Sequence, residues 1–401
     1  MLAHSFYLVD PRIRREAEAL AERGFEVHVV ALAEESKEAQ EASSLARNGV
    51  HIHRLPIGKK RGNFLRYVYE YVMTGFLGAL KLAKLHFRER LSAVHIHNMP
   101  DILILAGLLP RLGGCKLVLD IHDPMPELYL STQKKPLAPV TWLLRLQEKF
   151  SCWLADRVIS VNDTMRENLR GKGVPDEKIF ILHNYPDQAY FQMRDVPAIW
   201  PKSRERLVVL YCGTVTEHYD LGLAVRAIAR LAREIPIELR IMGKGNKLNE
   251  VLALASELGV RDRITLVGTV PVEKVAEEMR KADVGISCHR AGIFGDLYFS
   301  TKIIEYLTQG LAVVSPRTYT IHKYLPDDCL FYFEPGNEEA LADSIRLIWH
   351  NPAEVLGRLA QARQRLPQLS WQSEKGRLLG FYDGLLNQVP ADARAGRSQE
   401  T

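Results

Sequence analysis

The 401-residue sequence has few cysteines and lacks long apolar runs. Its five cysteines are scattered and none forms a CxxC pair, which argues against a disulfide framework or a zinc site and favours a reducing compartment. No apolar run reaches the roughly 18 residues that a transmembrane helix requires, and no signal peptide is visible. These absences predict a soluble, globular, cytoplasmic protein.

Several phosphate-binding and hydrolytic motifs are also missing. The sequence has no GKS or GKT phosphate loop and no GxSxG elbow, so ATP hydrolysis and serine hydrolysis are not predicted. Gly243-Lys244-Gly245 follows a predicted strand, but Leu248 replaces the third glycine of a dinucleotide-binding fingerprint. The formal charge of +5 and pI of 8.8 are mild and indicate no nucleic-acid partner.

Two H-x-H pairs, His51/His53 and His95/His97, lie on predicted strands. Such pairs can ligate a metal ion. Because no cysteine or carboxylate stands near them at metal-ligand spacing, we favour structural or hydrogen-bonding roles, and we expect no metal and no cofactor.

Strand and helix patterns alternate along the chain, which predicts an α/β protein with parallel sheets in two domains. The predicted domains are 1–200 and 201–368, joined by a linker rich in proline and charge. A helix at 369–388 is expected to cross back to the first domain, and 389–401 to be a disordered tail. Met1-Leu2-Ala3 reads as part of a first strand whose beginning lies upstream, and this strand is predicted to end at His4–Tyr7.

The segment 59–90 combines eight basic residues and two glutamates with interleaved aromatic residues. Basic and aromatic side chains on one helix are typical of docking on an anionic membrane surface. The alternative is a stripe that faces the core beside a solvated basic face. Both interpretations stay open at the level of sequence.

Polar residues stand where the predicted strands of the first domain end. In doubly wound sheets, ligands bind at the carboxyl ends of the strands. The residues expected at that edge are His97, Asn98, His122, Asp123, Asn162 and Asn184.

The stretch from Tyr298 to Arg317 predicts a loop, a short helix, a turn at Gly310 and a buried strand. Ser300, Thr301 and Lys302 stand at the start of that helix, where backbone N–H groups favour phosphate. Glu305, one turn further, suits the acceptance of hydrogen bonds from hydroxyl groups. An anion site beside a hydroxyl acceptor suits a nucleoside diphosphate.

Over nearly its full length, the chain resembles family 4 glycosyltransferases of the GT-B type, which have two Rossmann-like doubly wound domains facing a central cleft. The resemblance is carried by the order and spacing of several stretches: DPRIRREAEALAERGFEVHVV, VHIHNMPD, KLVLDIHDPMPELY, VISVNDTMRENLRGKGVPDEKIFILHN, IELRIMGKG, ADVGISCHR and TKIIEYLTQGLAVVSP.

The resemblance implies a retaining, metal-independent transfer from a nucleotide sugar to a lipid-linked or oligosaccharide acceptor in cell-surface polysaccharide synthesis. It implies that Glu305 binds the ribose hydroxyls and that His122, with Asp123, acts at the donor sugar. His97, Asn98 and Asn184 are expected on the acceptor side, and the chain at the inner face of the membrane. The remaining nucleotide-sugar contacts are expected from Lys302, Thr301, Ser300, Arg290, Lys244, Gly243, Gly213 and Gly292.

The chain departs from the family pattern at three positions. Leu297 stands where a second glutamate is usual, with Asp296 adjacent, and Thr214 and Tyr219 replace two phosphate-binding cations. These departures keep open a non-catalytic partner that binds a nucleotide or glycan. A third hypothesis is a nucleotide-sugar epimerase, with Asp123, Glu127 and Asp101 as candidate acids and bases.

Overall fold

The computed structural model describes residues 1–33, 44–58, 64–133, 135–196, 199–201 and 205–387. Two segments for which the sequence makes predictions lie outside the described residues. They are 59–63 of the basic segment and the tail at 389–401. The chain divides into two compact units. Unit 1 comprises Met1–Tyr129, Lys135–Asn184 and Glu374–Thr401, and unit 2 comprises Leu130–Lys134 and Tyr185–Ser373.

Strands and helices alternate through unit 1, as the sequence predicts. In chain order the elements up to Asn184 are α1 (Pro11–Glu22), β1 (Val27–Leu32), β2 (Ser44–Arg47), β3 (Val50–Leu55), α2 (Phe64–Glu89), β4 (Ala93–His97), a 3₁₀ helix (Asp101–Gly107), α3 (Leu108–Leu112), β5 (Lys116–Ile121), α4 (Met125–Thr132), α5 (Ala138–Leu154), β6 (Arg157–Ser160), α6 (Asp163–Gly171), a 3₁₀ helix (Asp176–Lys178) and β7 (Ile179–Ile181).

The strands of unit 1 run in the orders β2-β3-β1 and β4-β5-β6-β7, parallel throughout apart from the antiparallel pair β2–β3. Leu2 joins the two groups, since it forms parallel bridges to Val30 in β1 and to Ile96 in β4. Its N–H donates to the carbonyl of His95 at 2.8 Å. The first chain segment therefore occupies the centre of the sheet.

The predicted strand end at His4–Tyr7 is correct only as far as Ser5. The Ser5 carbonyl still accepts from the Leu32 N–H of β1 at 3.0 Å, and a turn begins at Tyr7. The turn forms because the Asp10 N–H donates to the Phe6 carbonyl at 3.1 Å. The Asp10 carboxylate then caps α1, accepting from the N–H groups of Arg12 and Ile13.

Unit 2 is built on one sheet of six parallel strands in the order β10-β9-β8-β11-β12-β13. The order reverses between β8 and β11, and ligands in such sheets bind at that switch point. The elements are β8 (Leu207–Cys212), α7 (Leu221–Leu231), β9 (Ile237–Met242), α8 (Leu248–Glu257), a 3₁₀ helix (Arg261–Arg263), β10 (Ile264–Leu266), α9 (Val272–Met279), β11 (Val284–Ile286), α10 (Thr301–Thr308), β12 (Ala312–Pro316), α11 (Tyr319–Tyr324), β13 (Phe331–Phe333), α12 (Glu338–His350), α13 (Pro352–Arg365) and α14 (Trp371–Asn387).

Helix α14 begins in unit 2 and belongs to unit 1 from Glu374 onward. Its side chains contact the unit 1 sheet: Phe381 stacks on Phe180 with ring centroids 4.6 Å apart, and the Tyr382 hydroxyl lies 2.8 Å from His95 Nδ1. The Glu374 carboxylate accepts from the His183 N–H at 2.9 Å. The last helix therefore supplies side chains to the buried side of unit 1.

Candidate functional site

A cavity of about 430 Å³ opens at the carboxyl ends of the unit 2 strands. The loops after β8, β9 and β11 reach it, as does the start of α10, so it lies at the switch point of the sheet. Of the residues predicted to bind the nucleotide sugar, those that line the cavity are Gly213, Gly243, Lys244, Ser300, Thr301 and Lys302.

Glycine lets two backbone segments approach each other closely at this cavity. A Cβ atom on Gly243 would lie 1.8 Å from the Gly213 carbonyl oxygen, and one on Gly245 would lie 1.9 Å from the Val215 carbonyl oxygen. Gly243 also has φ of +150°, a conformation that residues with side chains rarely adopt. The Gly-Lys-Gly run therefore builds the wall of the cavity, although it is not a dinucleotide fingerprint.

Helix α10 places Glu305 one turn behind the cavity. Lys302 Nζ donates to Glu305 Oε2 at 2.7 Å, and the Glu305 side chain is only 8% exposed. Burial alone would lower the pKa of Lys302, but its ionisable neighbours, Glu305 foremost, together outweigh burial and raise the pKa. The pair thus presents a cation to the cavity and holds a carboxylate beneath it.

The positions that depart from the family pattern also lie at this site. Thr214 and Tyr219 line the cavity, and the Tyr219 hydroxyl donates to the Tyr298 hydroxyl at 3.1 Å. Two phenol groups therefore meet where the resemblance implies a cation. Three predicted residues, Glu305, Arg290 and Gly292, are not among the lining residues. The Arg290 guanidinium lies 3.6 Å from the Asp220 carboxylate.

Tyr306 is a supporting residue that the sequence analysis missed. It is fully buried, and its hydroxyl accepts from the Cys212 N–H at 2.7 Å. A Cβ atom on Gly285 would lie 2.3 Å from its ring. The tyrosine thereby fixes α10 against β8 and β11, and an internal tyrosine between apolar helix positions was the only available signal.

In unit 1, a second polar cluster lies at the carboxyl ends of β4 and β5. His97 pairs with Asp120 across the two strands, and His122 follows β5. The His122 Nε2 lies 2.9 Å from Asp120 Oδ2 and 3.2 Å from His97 Nδ1. Asp120 and His97 are buried, whereas the His122 side chain is 22% exposed. His122 is therefore the member of this trio nearest to solvent.

Arg12 supplies the positive charge of the cluster. Its Nη2 donates to both oxygens of Asp120, at 2.7 and 2.9 Å, and its Nε donates to Glu16 at 3.0 Å. Burial would raise the pKa of Asp120, but Arg12 and His122 hold it well below its ordinary range. Burial raises the pKa of Glu16, and it lowers that of His97 well below the ordinary value. The surroundings thus favour the charged form of Asp120 more than that of Glu16.

This arrangement selects a tautomer for His122. The Asp120 carboxylate only accepts hydrogen bonds, so the proton of a neutral His122 ring lies on Nε2 and Nδ1 is left as an acceptor. An acceptor nitrogen on a partly exposed ring can receive a hydrogen bond from a sugar hydroxyl. The sequence analysis missed Arg12, Glu16, Asp120 and Tyr382 as members of this cluster.

The other predicted residues of unit 1 have structural contacts. The Asn98 amide donates to Asp101 at 2.9 Å and to the Asp123 carbonyl at 2.7 Å, and its oxygen accepts from the His122 N–H at 2.8 Å. Asn98 therefore shapes the loop that carries His122 and Asp123. Asn184 is exposed, and Arg15 donates to it at 2.5 Å. The roles assigned to these residues stay predictions.

One group of side chains has the composition of a metal site. Ligand atoms of Glu16, His95, His97 and Asp120 all lie within 4.8 Å of one another. However, Arg12 already occupies both oxygens of Asp120, so a cation bound here would face a buried guanidinium. The donor set fits a hydrogen-bonded cluster better than a metal centre.

Two family models match the chain. Residues 9–185 match a glycosyl transferase 4-like domain, and residues 193–365 match glycosyl transferases group 1. Together these matches cover most of unit 1 and nearly all of unit 2. Each unit therefore has its own match to a glycosyl transferase domain.

Two curated relatives illustrate the sequence similarity. The chain is 24% identical over 306 residues to a phosphatidylinositol N-acetylglucosaminyltransferase subunit of Arabidopsis thaliana, covering 75% of this chain and 63% of that protein. The chain thus spans less than two thirds of that relative's length. It is 21% identical over 385 residues to N-acetyl-alpha-D-glucosaminyl L-malate synthase of Bacillus anthracis, covering 94% of this chain and 93% of that protein.

Solved structures match the fold of the whole chain. Sucrose-phosphate synthase of Thermosynechococcus elongatus has a TM-score of 0.77 at 18% identity and covers 96% of this chain and 99% of its own. Alr3699/HepE of Anabaena in complex with UDP-glucose has a TM-score of 0.70 at 13% identity and covers 96% and 98%. These similarities confirm the prediction of two Rossmann-like domains of the GT-B fold.

Proposed function

This chain belongs to the group 1 glycosyltransferases, and we propose that it transfers a sugar from a nucleotide-sugar donor to a lipid-linked or glycan acceptor in cell-surface polysaccharide synthesis, at the cytoplasmic side of the membrane. The carrying observation is the cavity at the switch point of unit 2, where the start of α10 and Lys302 meet the glycine-walled loops. Backbone N–H groups and a cation at one cavity suit a diphosphate.

Glu305 is proposed to bind the ribose. An ionised carboxylate accepts hydrogen bonds and donates none, so it suits vicinal hydroxyl groups. Lys302 neutralises this carboxylate from the cavity side at 2.7 Å, which makes its burial tolerable and keeps a positive charge next to the nucleotide. In this proposal Lys302 contacts the phosphate while Glu305 binds the ribose.

The leaving diphosphate is proposed to be stabilised by Lys302, by Lys244 and by the N–H groups at the start of α10. Both lysines line the cavity. Stabilisation by fixed donors and charges is what a transfer without a metal ion requires. The retaining stereochemistry and the metal independence are part of this proposal and follow the family resemblance.

His122 is proposed to bind the donor sugar through Nδ1. Asp120, Arg12 and Asn98 hold its ring and its backbone in place. Because Asp120 keeps the proton on Nε2, the orientation of the ring and its tautomer are both set before the donor binds.

Calorimetry with UDP, GDP and their sugars tests this proposal. UDP-N-acetylglucosamine is the first donor to examine, because one structural neighbour binds UDP-glucose and the two relatives carry N-acetylglucosaminyl names. The change Glu305→Ala should weaken nucleotide binding by roughly 10- to 100-fold, the loss expected for hydrogen bonds to a charged group. The matched control is Glu339→Ala, at an exposed site on α12. Unchanged donor affinity in the Glu305 variant would remove the assignment.

A non-catalytic nucleotide-binding protein is the second candidate, and the threonine and tyrosine at positions 214 and 219 favour it. The phenol pair at Tyr219 and Tyr298 carries no positive charge, so the diphosphate meets fewer cations than the family pattern supplies. Sugar transfer, or slow hydrolysis of the donor, by the purified chain would exclude this candidate. Tight donor binding without turnover would support it.

A further inference from the structure

Helix α2 of unit 1 exposes an apolar stripe to solvent. Val72, Phe76 and Leu80 recur every four residues, and they are 63%, 58% and 55% exposed. Thr74 and Leu82, on the opposite side of the helix, are buried. A spacing of four places the three exposed residues on one face of the helix. The sequence had left open whether these side chains face the core, and they do not.

Helices α3 and α5 also expose large apolar side chains. The 3₁₀ helix at Asp101–Gly107 packs against both α2 and α5, and α3 packs against α2. Leu112 on α3 is 88% exposed, and Trp142 and Trp153 on α5 are 65% and 69% exposed. We call these exposed side chains of α2, α3 and α5 the apolar face. It includes two indole rings. Its exposed apolar area therefore exceeds that of the single exposed hydrophobic residues found on an ordinary protein surface.

The charges around the apolar face are positive. The three helices and the 3₁₀ helix between them contain seven lysines and arginines and four carboxylates. Three of these carboxylates, Glu70, Asp101 and Glu148, are at most 2% exposed. Within the part of these elements that the structure describes, Glu89 is thus the one carboxylate with substantial exposure, at 34% of its side chain. The basic residues Lys84, Arg145 and Lys149 are exposed.

We propose that the apolar face docks on the surface of a bilayer that contains anionic phospholipid. Indole and phenyl rings partition into the headgroup region, and lysine and arginine pair with lipid phosphate. A second copy of the chain fits less well, because an isologous contact would bring the positive charges of the two copies together. The described residues contain no helix that is long and apolar enough to cross a membrane.

The face extends the sequence prediction, which was confined to 59–90. Its aromatic residues on α5 lie more than 50 residues further along the chain, and the exposed Arg145 and Lys149 on the same helix add to its positive charge. The proposal does not rest on sugar transfer, since binding to lipid can be measured with no donor present.

Flotation of the full chain with vesicles tests the proposal. Binding to vesicles of phosphatidylcholine with 30% phosphatidylglycerol should exceed binding to pure phosphatidylcholine by at least tenfold at low salt and should fall as salt is added. The double variant Phe76→Glu/Trp142→Glu should lose at least tenfold in partitioning. The control Val9→Glu/Tyr319→Glu changes residues that are 71% and 58% exposed outside the apolar face, and it should bind as the unchanged protein does.

Thermal unfolding and donor calorimetry on the same variants separate the outcomes. Loss of vesicle binding with unchanged melting and unchanged donor affinity supports the docking face and leaves the transferase proposal to its own test. Equal vesicle binding by both double variants overturns the docking face. It is also overturned if light scattering shows a dimer that Phe76→Glu/Trp142→Glu dissociates while no variant binds vesicles, since a second copy would then cover the face.

Discussion

The two units share one sheet architecture but build their polar sites by different means. The unit 2 cavity has walls of backbone, because glycine at 243 and 245 allows the loops after β8 and β9 to touch. The unit 1 cluster consists of long side chains, and its central pair, Arg12 and Asp120, is separated by 108 residues in the sequence. One site is open and defined by steric fit, and the other is buried and defined by charge.

This difference determines how each site should fail. A buried charge is stable only while its partners are present. Loss of one member of the unit 1 cluster therefore leaves the other members buried with unsatisfied hydrogen bonds or charges. An open cavity has no such interdependence, but its wall has no room for an added atom. The unit 1 site should therefore be sensitive to the removal of atoms, and the unit 2 site to their addition.

The largest effect is expected for Asp120→Asn. The change removes the carboxylate that accepts from Arg12 Nη2, and the Arg12 side chain, which is 5% exposed, keeps only its contact with Glu16 in the cluster. Removing one partner of a buried ion pair costs about 3–5 kcal/mol of the free energy of unfolding. Urea unfolding of the full chain measures this loss, and turnover should fall with it because His122 loses its positioning carboxylate.

The control for Asp120→Asn is Asp176→Asn. Asp176 pairs with Arg166 at 2.6 Å on the surface of unit 1, where its side chain is 40% exposed. An exposed pair contributes little to stability, because water screens the two charges. If the two variants lost the same stability, the unit 1 cluster would not be the interdependent network described above.

The next effect is expected for Gly243→Ala in unit 2. The new Cβ would meet the Gly213 carbonyl oxygen at 1.8 Å, in a backbone conformation with φ of +150°. The loops must separate, which should cost roughly 1–3 kcal/mol of unfolding free energy and weaken nucleotide binding. Both are measured on one purified variant, by urea unfolding and calorimetry.

Gly357→Ala is the matched control for this substitution. Gly357 lies within α13, and a Cβ there meets nothing within 4 Å. Alanine in a helix is favoured over glycine by about 0.5–1 kcal/mol, so this variant should be slightly stabilised. A Gly243 variant that behaves like it would show that the backbone contact does not build the cavity.

Much of the fold could be predicted from the sequence because strand and helix formation depends on local patterns. His95 and His97 lie on a strand as predicted, β4 at Ala93–His97, and Gly310 has the left-handed φ of +75° expected after α10. The error at Phe6 and Tyr7 also has a local cause. The prediction continues the strand through these two residues, whereas the Phe6 carbonyl already accepts from the Asp10 N–H in the turn that leads into α1.

The two sites were predictable to different degrees for the same physical reason. Ser300, Thr301 and Lys302 are contiguous, and the start of a helix can be recognised from local sequence. Their placement at the cavity could therefore be predicted. The contact of Tyr382 with His95 joins residues 287 positions apart, and no local pattern encodes it. A buried Asp120 within the apolar strand KLVLDI was the signal available for the cluster.

The smallest effect concerns the buried histidine of unit 2 and the response to acid. His289 is 5% exposed and lies 3.1 Å from the Ser287 hydroxyl, and burial alone lowers its pKa to about 4. The unfolded chain therefore binds this proton at higher pH, so stability falls as the pH drops from about 6.5 and stops falling below about 4. Between pH 7 and pH 5 this group should remove about 2 kcal/mol of unfolding free energy.

The variant His289→Gln has no titrating ring, so its unfolding free energy should fall by that much less over the same pH interval, as measured by urea unfolding at each pH. His350→Gln, at an exposed site at the end of α12, is the control. An equal change of slope in both variants would mean that burial at His289 is not the cause of the acid response.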